Sequence, residues 1–231
     1  MNTILEFKNI TYSYNNNTVI LDKVNVTFEQ GKFYTIIGPS GSGKTTFLSL
    51  AAGLDKANSG SILFDNKNIN SIGFSNYRNK CISIIFQSYN LLTYMSALDN
   101  IICAMEIKDI KCPNKKEKAI EILKQVGLTE EQGKQKVLTL SGGQQQRVAI
   151  ARALATESNL ILATESNLIL ADEATGNLDE NTSNEIISIF EKLVKEHNKT
   201  VILVTHNNEI AKKSDITYLV KNKQLLQTQV C

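Results

Sequence analysis

Short apolar runs bounded by turn residues alternate along this chain with amphipathic stretches. That alternation predicts an α/β fold built on a largely parallel sheet. Phe33-Tyr-Thr-Ile-Ile37 predicts a buried strand, followed by a Gly-rich turn and a helix from about Lys44. Ile82-Ser-Ile-Ile-Phe86, Leu168-Ile-Leu-Ala171 and Val201-Ile-Leu-Val204 predict three more buried strands. The first 30 residues alternate with the period of two expected of an antiparallel β-lobe, with Asn15-Asn16-Asn17 as its turn. From about Ser96 to Ala155 the spacing becomes helical, which predicts a helical lobe inserted between two core strands. Beyond Ser214 a short hairpin is expected to turn near Asn222. The expected organisation is one domain over 1–231. Residues 1–87 and 156–231 form the core and β-lobe, and 88–155 the helical lobe.

Composition narrows the partners more than the fold. At 231 residues and 42% hydrophobic, the chain is large enough to bury roughly 70–75% of its unfolded surface. Lys+Arg of 25 against Asp+Glu of 23 leaves +2, so charge gives no argument for nucleic acid and none is expected as a partner. The four cysteines (Cys81, Cys103, Cys112, Cys231) show no paired metal-ligand spacing and read as free thiols of a reducing compartment. Met1 to Phe7 has neither a basic n-region nor a long apolar h-region, so no export is expected, and no apolar run approaches the roughly 20 residues needed to span a bilayer. A soluble cytosolic protein is expected, reaching a membrane only through a partner.

One feature fits no element. Ala155-Thr-Glu-Ser-Asn-Leu-Ile-Leu162 recurs unchanged as residues 163–170. Two octapeptides are too few and too short for a solenoid. The two copies compete for one buried strand. If Leu160-Ile-Leu162 took it, Thr164-Glu165 would replace Asp172-Glu173, so the second copy is expected to form the strand. A slip of eight keeps every side chain on its face, so alternation alone barely resists the other register.

Three motifs carry chemistry. Gly38-Pro39-Ser40-Gly41-Ser42-Gly43-Lys44-Thr45 is a Walker A phosphate loop between a predicted strand and a helix. Its glycines let backbone N–H groups turn around phosphates, and the helix N-terminus adds partial positive charge. Lys44 supplies a point charge, and the Thr45 hydroxyl suits Mg2+. Leu168-Ile-Leu-Ala-Asp172-Glu173 is a buried strand ending in two carboxylates, at the sheet edge where the phosphate loop lies. Asp172 suits the metal, and Glu173 suits a general base acting on water. In Leu140-Ser141-Gly142-Gly143-Gln144, Ser141 caps a helix whose glycines leave the N-terminus bare as a second anion site.

LSGGQ, about 100 residues after a Walker A and upstream of an Asp-Glu strand, closely resembles the signature of ABC-transporter ATPases. The resemblance spans essentially the whole chain and implies a P-loop ABC-type core with an antiparallel β-lobe and an inserted α-helical lobe. It implies that Gln87 is the Q-loop glutamine, that Glu173-Ala-Thr-Gly-Asn-Leu-Asp179 runs from Walker B to the D-loop, and that His206 is the switch histidine. Tyr14 becomes the aromatic stacking on adenine, with Tyr12 a weaker candidate because alternation turns it inward. The implied ATP contacts are Tyr14, Gly38 to Thr46 (Thr46 included), and Ser141, Gly142, Gly143 and Gln144. The implied Mg2+ set is Thr45, Gln87 and Asp172, and the catalytic set Lys44, Gln87, Glu173 and His206. Narrower features, Phe86-Gln-Ser-Tyr-Asn-Leu-Leu92 among them, are similar to MacB/LolD/FtsE-type ATPases. Ala174 stands where Pro is frequent, Asn207 where Asp is frequent, and Thr93 where Pro is common; none removes a catalytic group.

The resemblance further implies two subunits closing head to tail on two ATP molecules, each phosphate lying between one Walker A and the other LSGGQ. It implies a separate transmembrane permease, with Ser88–Ser96 as the docking segment, and a peripheral position on the inner face of the cell membrane. An exporter of antimicrobial-peptide or lipoprotein type is the first reading of function. An FtsE-like ATPase that switches a membrane complex without transport is the alternative. A DNA-repair ATPase head is set aside, because its motifs would flank a coiled coil and no sustained heptads occur.

Overall fold

The computed structural model describes residues 2–14, 18–156, 168–176 and 178–228. In chain order the strands are β1 (Thr3–Tyr14), β2 (Thr18–Glu29), β3 (Phe33–Ile37), β4 (Ser59–Phe64), β5 (Lys67–Asn68), β6 (Ile82–Ile85), β7 (Leu168–Asp172), β8 (Thr200–Val204), β9 (Ile216–Lys221) and β10 (Gln224–Thr228). The helices are α1 (Lys44–Ala51), α2 (Ile69–Ile72), α3 (Phe74–Lys80), α4 (Ala97–Ile107), α5 (Lys115–Gln125), α6 (Glu130–Lys134), α7 (Gly142–Ala155), α8 (Glu180–His197) and α9 (Asn208–Ala211).

Two sheets organise them. The central sheet runs β10-β9-β3-β8-β7-β6, parallel throughout except for the hairpin partner β10. Its strands are buried on both faces, which is why they read as continuous apolar runs rather than as alternation. Alternate residues feed different cores. Tyr34, Ile36, Leu168, Leu170, Ile202 and Val204 face one side with α1 and the β-lobe. Phe33, Ile169, Ala171, Val201 and Leu203 face α7, α8 and the helical lobe. The β-lobe is an antiparallel sheet ordered β2-β1-β4-β5, and its Phe7 stacks on Phe47 of α1 with ring centroids 4.4 Å apart. Phe47 is fully buried there, so its truncation to Ala is expected to cost about 3–5 kcal/mol.

The hairpin expected near Asn222 is present, turning at Asn222 and Lys223, both with positive φ. The turn at Asn15-Asn16-Asn17 lies outside the described residues. Predicted strand 82–86 ends one residue earlier, at Ile85, so Gln87 stands in the loop beyond it. The second octapeptide copy supplies β7: Leu168 pairs with both Ile82 and Thr200, and this register brings Asp172 level with Val204. Of the duplication 155–170, residues 157–167 lie outside the described residues.

Each helix of the inserted lobe starts on a side-chain cap. Ser96 accepts from Asp99 N, Asn114 from Lys116 and Glu117 N, and Thr129 forms a capping box with Gln132. Arg147 of α7 fastens the lobe to the core: its guanidinium donates to Val126 O at the end of α5 (2.7 Å) and pairs with Glu185 of α8. Among the described residues no helix is long and apolar enough to cross a membrane.

Candidate functional site

The register of the central sheet builds the site. Ile36 and Asp172 each pair with Val204, and Ile85 with Ala171, so β3, β6, β7 and β8 end at one edge. The loops leaving that edge carry the phosphate loop, Gln87, Asp172-Glu173 and His206. This is the crevice in which open α/β sheets place ligands.

The phosphate loop is closed on itself. Lys44, at the first position of α1, donates from Nζ to Gly38 O (2.8 Å) and Pro39 O (2.9 Å) and is itself buried. Gly43 has φ +103°, and a Cβ there would meet Ile20 Cγ2 at 2.8 Å, so neither backbone nor space admits a side chain. Ser42 Oγ is buried and has no hydrogen-bond partner among the described residues, a polar atom suited to a ligand's oxygen. In front of the loop lies an open cleft of about 490 Å3, lined by Tyr14, Ile20, Ser40, Gly41, Gly43, Lys44, Thr45, Thr46, Glu173 and His206. Tyr14 is half exposed at its mouth, its hydroxyl 3.2 Å from Thr46 Oγ1, while Tyr12 turns inward and packs edge-on against it.

The acidic pair occupies two different environments. Asp172 Oδ1 lies 3.5 Å from Thr45 Oγ1. Burial, and then the neighbouring Glu173 charge, push the Asp172 carboxyl above the usual range, offset in part by Thr45 and Lys44. A cation at this spot would relieve that cost. Thr45 and Asp172 offer the hard oxygen donors that Mg2+ takes alongside substrate phosphates and water. Glu173 is bonded at one oxygen, where Gln87 Nε2 donates to Oε2 (3.1 Å), and His206 Nδ1 stands 3.6 Å from Oε1, beyond hydrogen-bond reach. Its backbone is left-handed, at φ +43°, and its N–H donates to Val204 O at 3.0 Å. Such a conformation is uncommon for a non-glycine residue and clusters at functional sites.

The signature residues stand apart from this cleft; none of 141–144 lines it. Ser141 caps α7 and forms a capping box with Gln144. The cap engages the N–H groups of Ser141 and Gln144, as the sequence led one to expect of Ser141. The glycines permit close approach: a Cβ on Gly143 would lie 2.3 Å from Thr182 Cγ2 of α8, and one on Gly142 3.4 Å from Tyr89 Oη. A second cavity of about 440 Å3 adjoins the first through His206 and is lined by Thr175, Gly176, Leu178, Asn207 and neighbours from α8 and α9. Asn207 serves as the cap of α9, accepting from Glu209 N and Ile210 N, so the departure from Asp at this position keeps the local structure.

Sequence reasoning missed Ile20, whose partly buried apolar side chain lines the cleft, and Arg152, which holds the Gln87 loop. The first had a signal in strand alternation. The second had none, because its partners are backbone atoms over sixty residues away.

Comparison with known proteins places these features in company. Residues 21–176 match the family model described as ABC transporter. The chain is 51% identical to the ABC transporter ATP-binding protein YclH of Bacillus subtilis, covering 93% of this chain and 92% of that protein. It is 39% identical to the lipoprotein-releasing system ATP-binding protein LolD of Rickettsia felis, over 96% of each. Its fold is similar to the dimeric, post-hydrolysis structure of the ATP-binding cassette MJ0796 bound to ADP and Pi, with TM-score 0.86, 33% identity and 99% of each chain covered.

Proposed function

The chain belongs to the ABC transporter family of ATP-binding proteins, and on that premise we propose that it works as one half of an ATP-closed pair powering an exporter-type membrane complex. It is an ATPase subunit of an ABC transporter. The observation that carries the finer reading is the division of the site. Lys44, Thr45, Glu173 and His206 share one cleft, while the capped N-terminus of α7 contributes nothing to it. A second subunit's Ser141 and Gly143 would complete that cleft from outside, and the dimeric MJ0796 structures support this arrangement.

In such a site Lys44 exchanges the Gly38 and Pro39 carbonyls for phosphate oxygens, and Tyr14 offers its ring to the base. Backbone N–H groups from Ser40 to Thr46 surround the phosphates. Thr45, Asp172 and Gln87 would hold Mg2+, which when bound offsets phosphate charge. Glu173 accepts the proton of the attacking water, its carboxylate oriented by Gln87. His206, which lines the same cleft, would also touch the γ-phosphate.

For the membrane partner, the segment Ser88–Ser96 exposes Leu92 and Tyr94, and Leu138 stands open beside it, where Val137 N bonds Met95 O. An exposed apolar patch of this kind marks a partner surface. A permease docked there would hold the chain peripherally at the membrane. The LolD resemblance supports an export substrate. Co-expressing the chain with the permease gene beside its own and reconstituting the complex in vesicles tests the reading. ATP-driven movement of a substrate supports it; ATP hydrolysis that alters the complex without any movement favours the regulatory alternative.

A further inference from the structure

The loop that carries Gln87 is bent into an uncommon shape. Tyr89 and Asn90 are consecutive non-glycine residues with φ of +55° and +49°. Asn accepts the left-handed region readily, but Tyr does not, so something must hold it there. The loop's own bonds are short and local: Tyr89 N donates to Phe86 O (3.2 Å) and Asn90 N to Ser88 O (2.5 Å). Asn100 of α4 holds the far end, bonding both backbone groups of Leu92, and the anchor at the two left-handed residues themselves is Arg152, in the last turn of α7. Its Nη2 donates to Tyr89 O (2.8 Å) and its Nη1 to Asn90 O. A guanidinium fork fits two adjacent carbonyls in fixed geometry, which a lysine ammonium does not. Burial lowers its affinity for a proton somewhat, yet Arg remains a cation at any working pH. At the other end of the same loop Gln87 reaches Glu173, and a Cβ on Gly142 would lie 3.4 Å from Tyr89 Oη.

We propose that Arg152 is a positioning residue for the reaction: by clamping the carbonyls of Tyr89 and Asn90 it sets the loop that aims Gln87 at Glu173, so that α7 governs both the signature motif and the Gln87 contact of its own chain. Arg152 lines no part of the nucleotide cleft, and its effect passes entirely through the loop. The inference rests on the ATPase reading above.

Two readouts test it. Hydrogen exchange of the nucleotide-free chain reads the clamp without any activity. In Arg152→Ala the peptide covering residues 86–92 is expected to exchange at least about tenfold faster, with α8 unchanged. A double-mutant cycle reads positioning: Arg152→Ala alone should lower kcat about tenfold with KM for ATP within about twofold, and in a Gln87→Ala background it should cost less than about twofold. Arg152→Lys, which keeps charge and volume, should fall between wild type and Ala in both readouts, and it substitutes if Ala does not fold. Unchanged exchange in 86–92, or losses that multiply in the double variant, overturns the proposal. A parent chain that hydrolyses no ATP would defeat the functional reading, while the exchange measurement still decides the clamp.

Discussion

Gln87 and Glu173, 86 residues apart in the chain, meet through a 3.1 Å bond from amide Nε2 to carboxylate Oε2. The bond joins the loop after β6 to the end of β7 and orients a carboxylate whose backbone already sits at φ +43°, with His206 3.6 Å from the other oxygen. If Glu173 is the base, as proposed, this bond preorganises it, which is where proton-transfer catalysis gains.

Asp172 beside it is the expensive member of the pair. Its carboxyl is raised by burial and by Glu173, so the folded chain favours the protonated form. The sign follows: this contribution to stability is largest below the ordinary carboxylate range and is lost as pH rises through the raised value, so at neutral pH Asp172 destabilises the nucleotide-free fold. Asp172→Asn should therefore raise the Tm of the nucleotide-free chain at neutral pH. It should also lower Mg2+-supported turnover on the order of a hundredfold, the scale of losing one transition-state charge contact. Thermal melts across pH and a steady-state assay check both.

Gly143 is required by contact with α8 as well as by its place in the signature. Gly143→Ala brings a methyl to 2.3 Å from Thr182 Cγ2, and overpacking of this kind costs about 1–3 kcal/mol. Thr182→Ser removes that Cγ2 while keeping a hydroxyl for Asp179 Oδ2. The pair Gly143→Ala/Thr182→Ser should regain most of the lost Tm. Recovery absent in the double variant would show that the clash lies elsewhere.

Much of this site was legible in the residues, because its chemistry is local. The phosphate loop, the apolar run into Asp172-Glu173 and the Ser141 cap are each short segments whose geometry is set within a few residues. The choice of the second octapeptide for β7 was legible too, since only that register ends in two carboxylates at the crevice. Ser59 to Lys80 was not: β4, β5, α2 and α3 are short and rich in Ser, Asn and Lys, and their order comes from distant contacts such as β4 pairing with β1, β5 with β4, and Phe64 packing edge-on against the buried Tyr77. Contacts between a side chain and distant backbone, as for Arg152, leave no periodicity to read.

The exposed patch of Leu92, Tyr94 and Leu138 is the expected membrane-partner surface. Tyr94→Glu with Leu138→Glu should abolish co-purification with the permease and shift Tm by no more than about 2–4 °C, since exposed substitutions usually stay within about 0.5 kcal/mol each. Without a permease the chain should not sediment with protein-free liposomes; tight sedimentation would point to direct lipid attachment.

Deleting residues 155–162 leaves the identical octapeptide 163–170 to finish α7 and enter β7. Extra loop length alone costs only about 0.6 kcal/mol per doubling, whereas a surplus Leu-Ile-Leu is an apolar liability. Soluble yield and Tm are expected to rise with ATPase activity retained. A fall in both stability and activity would make the repeat a structural element.

The pairing of two chains around ATP is tested most directly by mass. Glu173→Gln keeps the phosphate contacts and removes the proton acceptor, so ATP should bind and not turn over. Light scattering behind a sizing column should then give twice the 25.6 kDa of one chain with ATP present, and a single chain's mass without nucleotide. A variant that binds ATP yet keeps the mass of one chain at every protein concentration, or that hydrolyses ATP at the parent rate, would contradict the account.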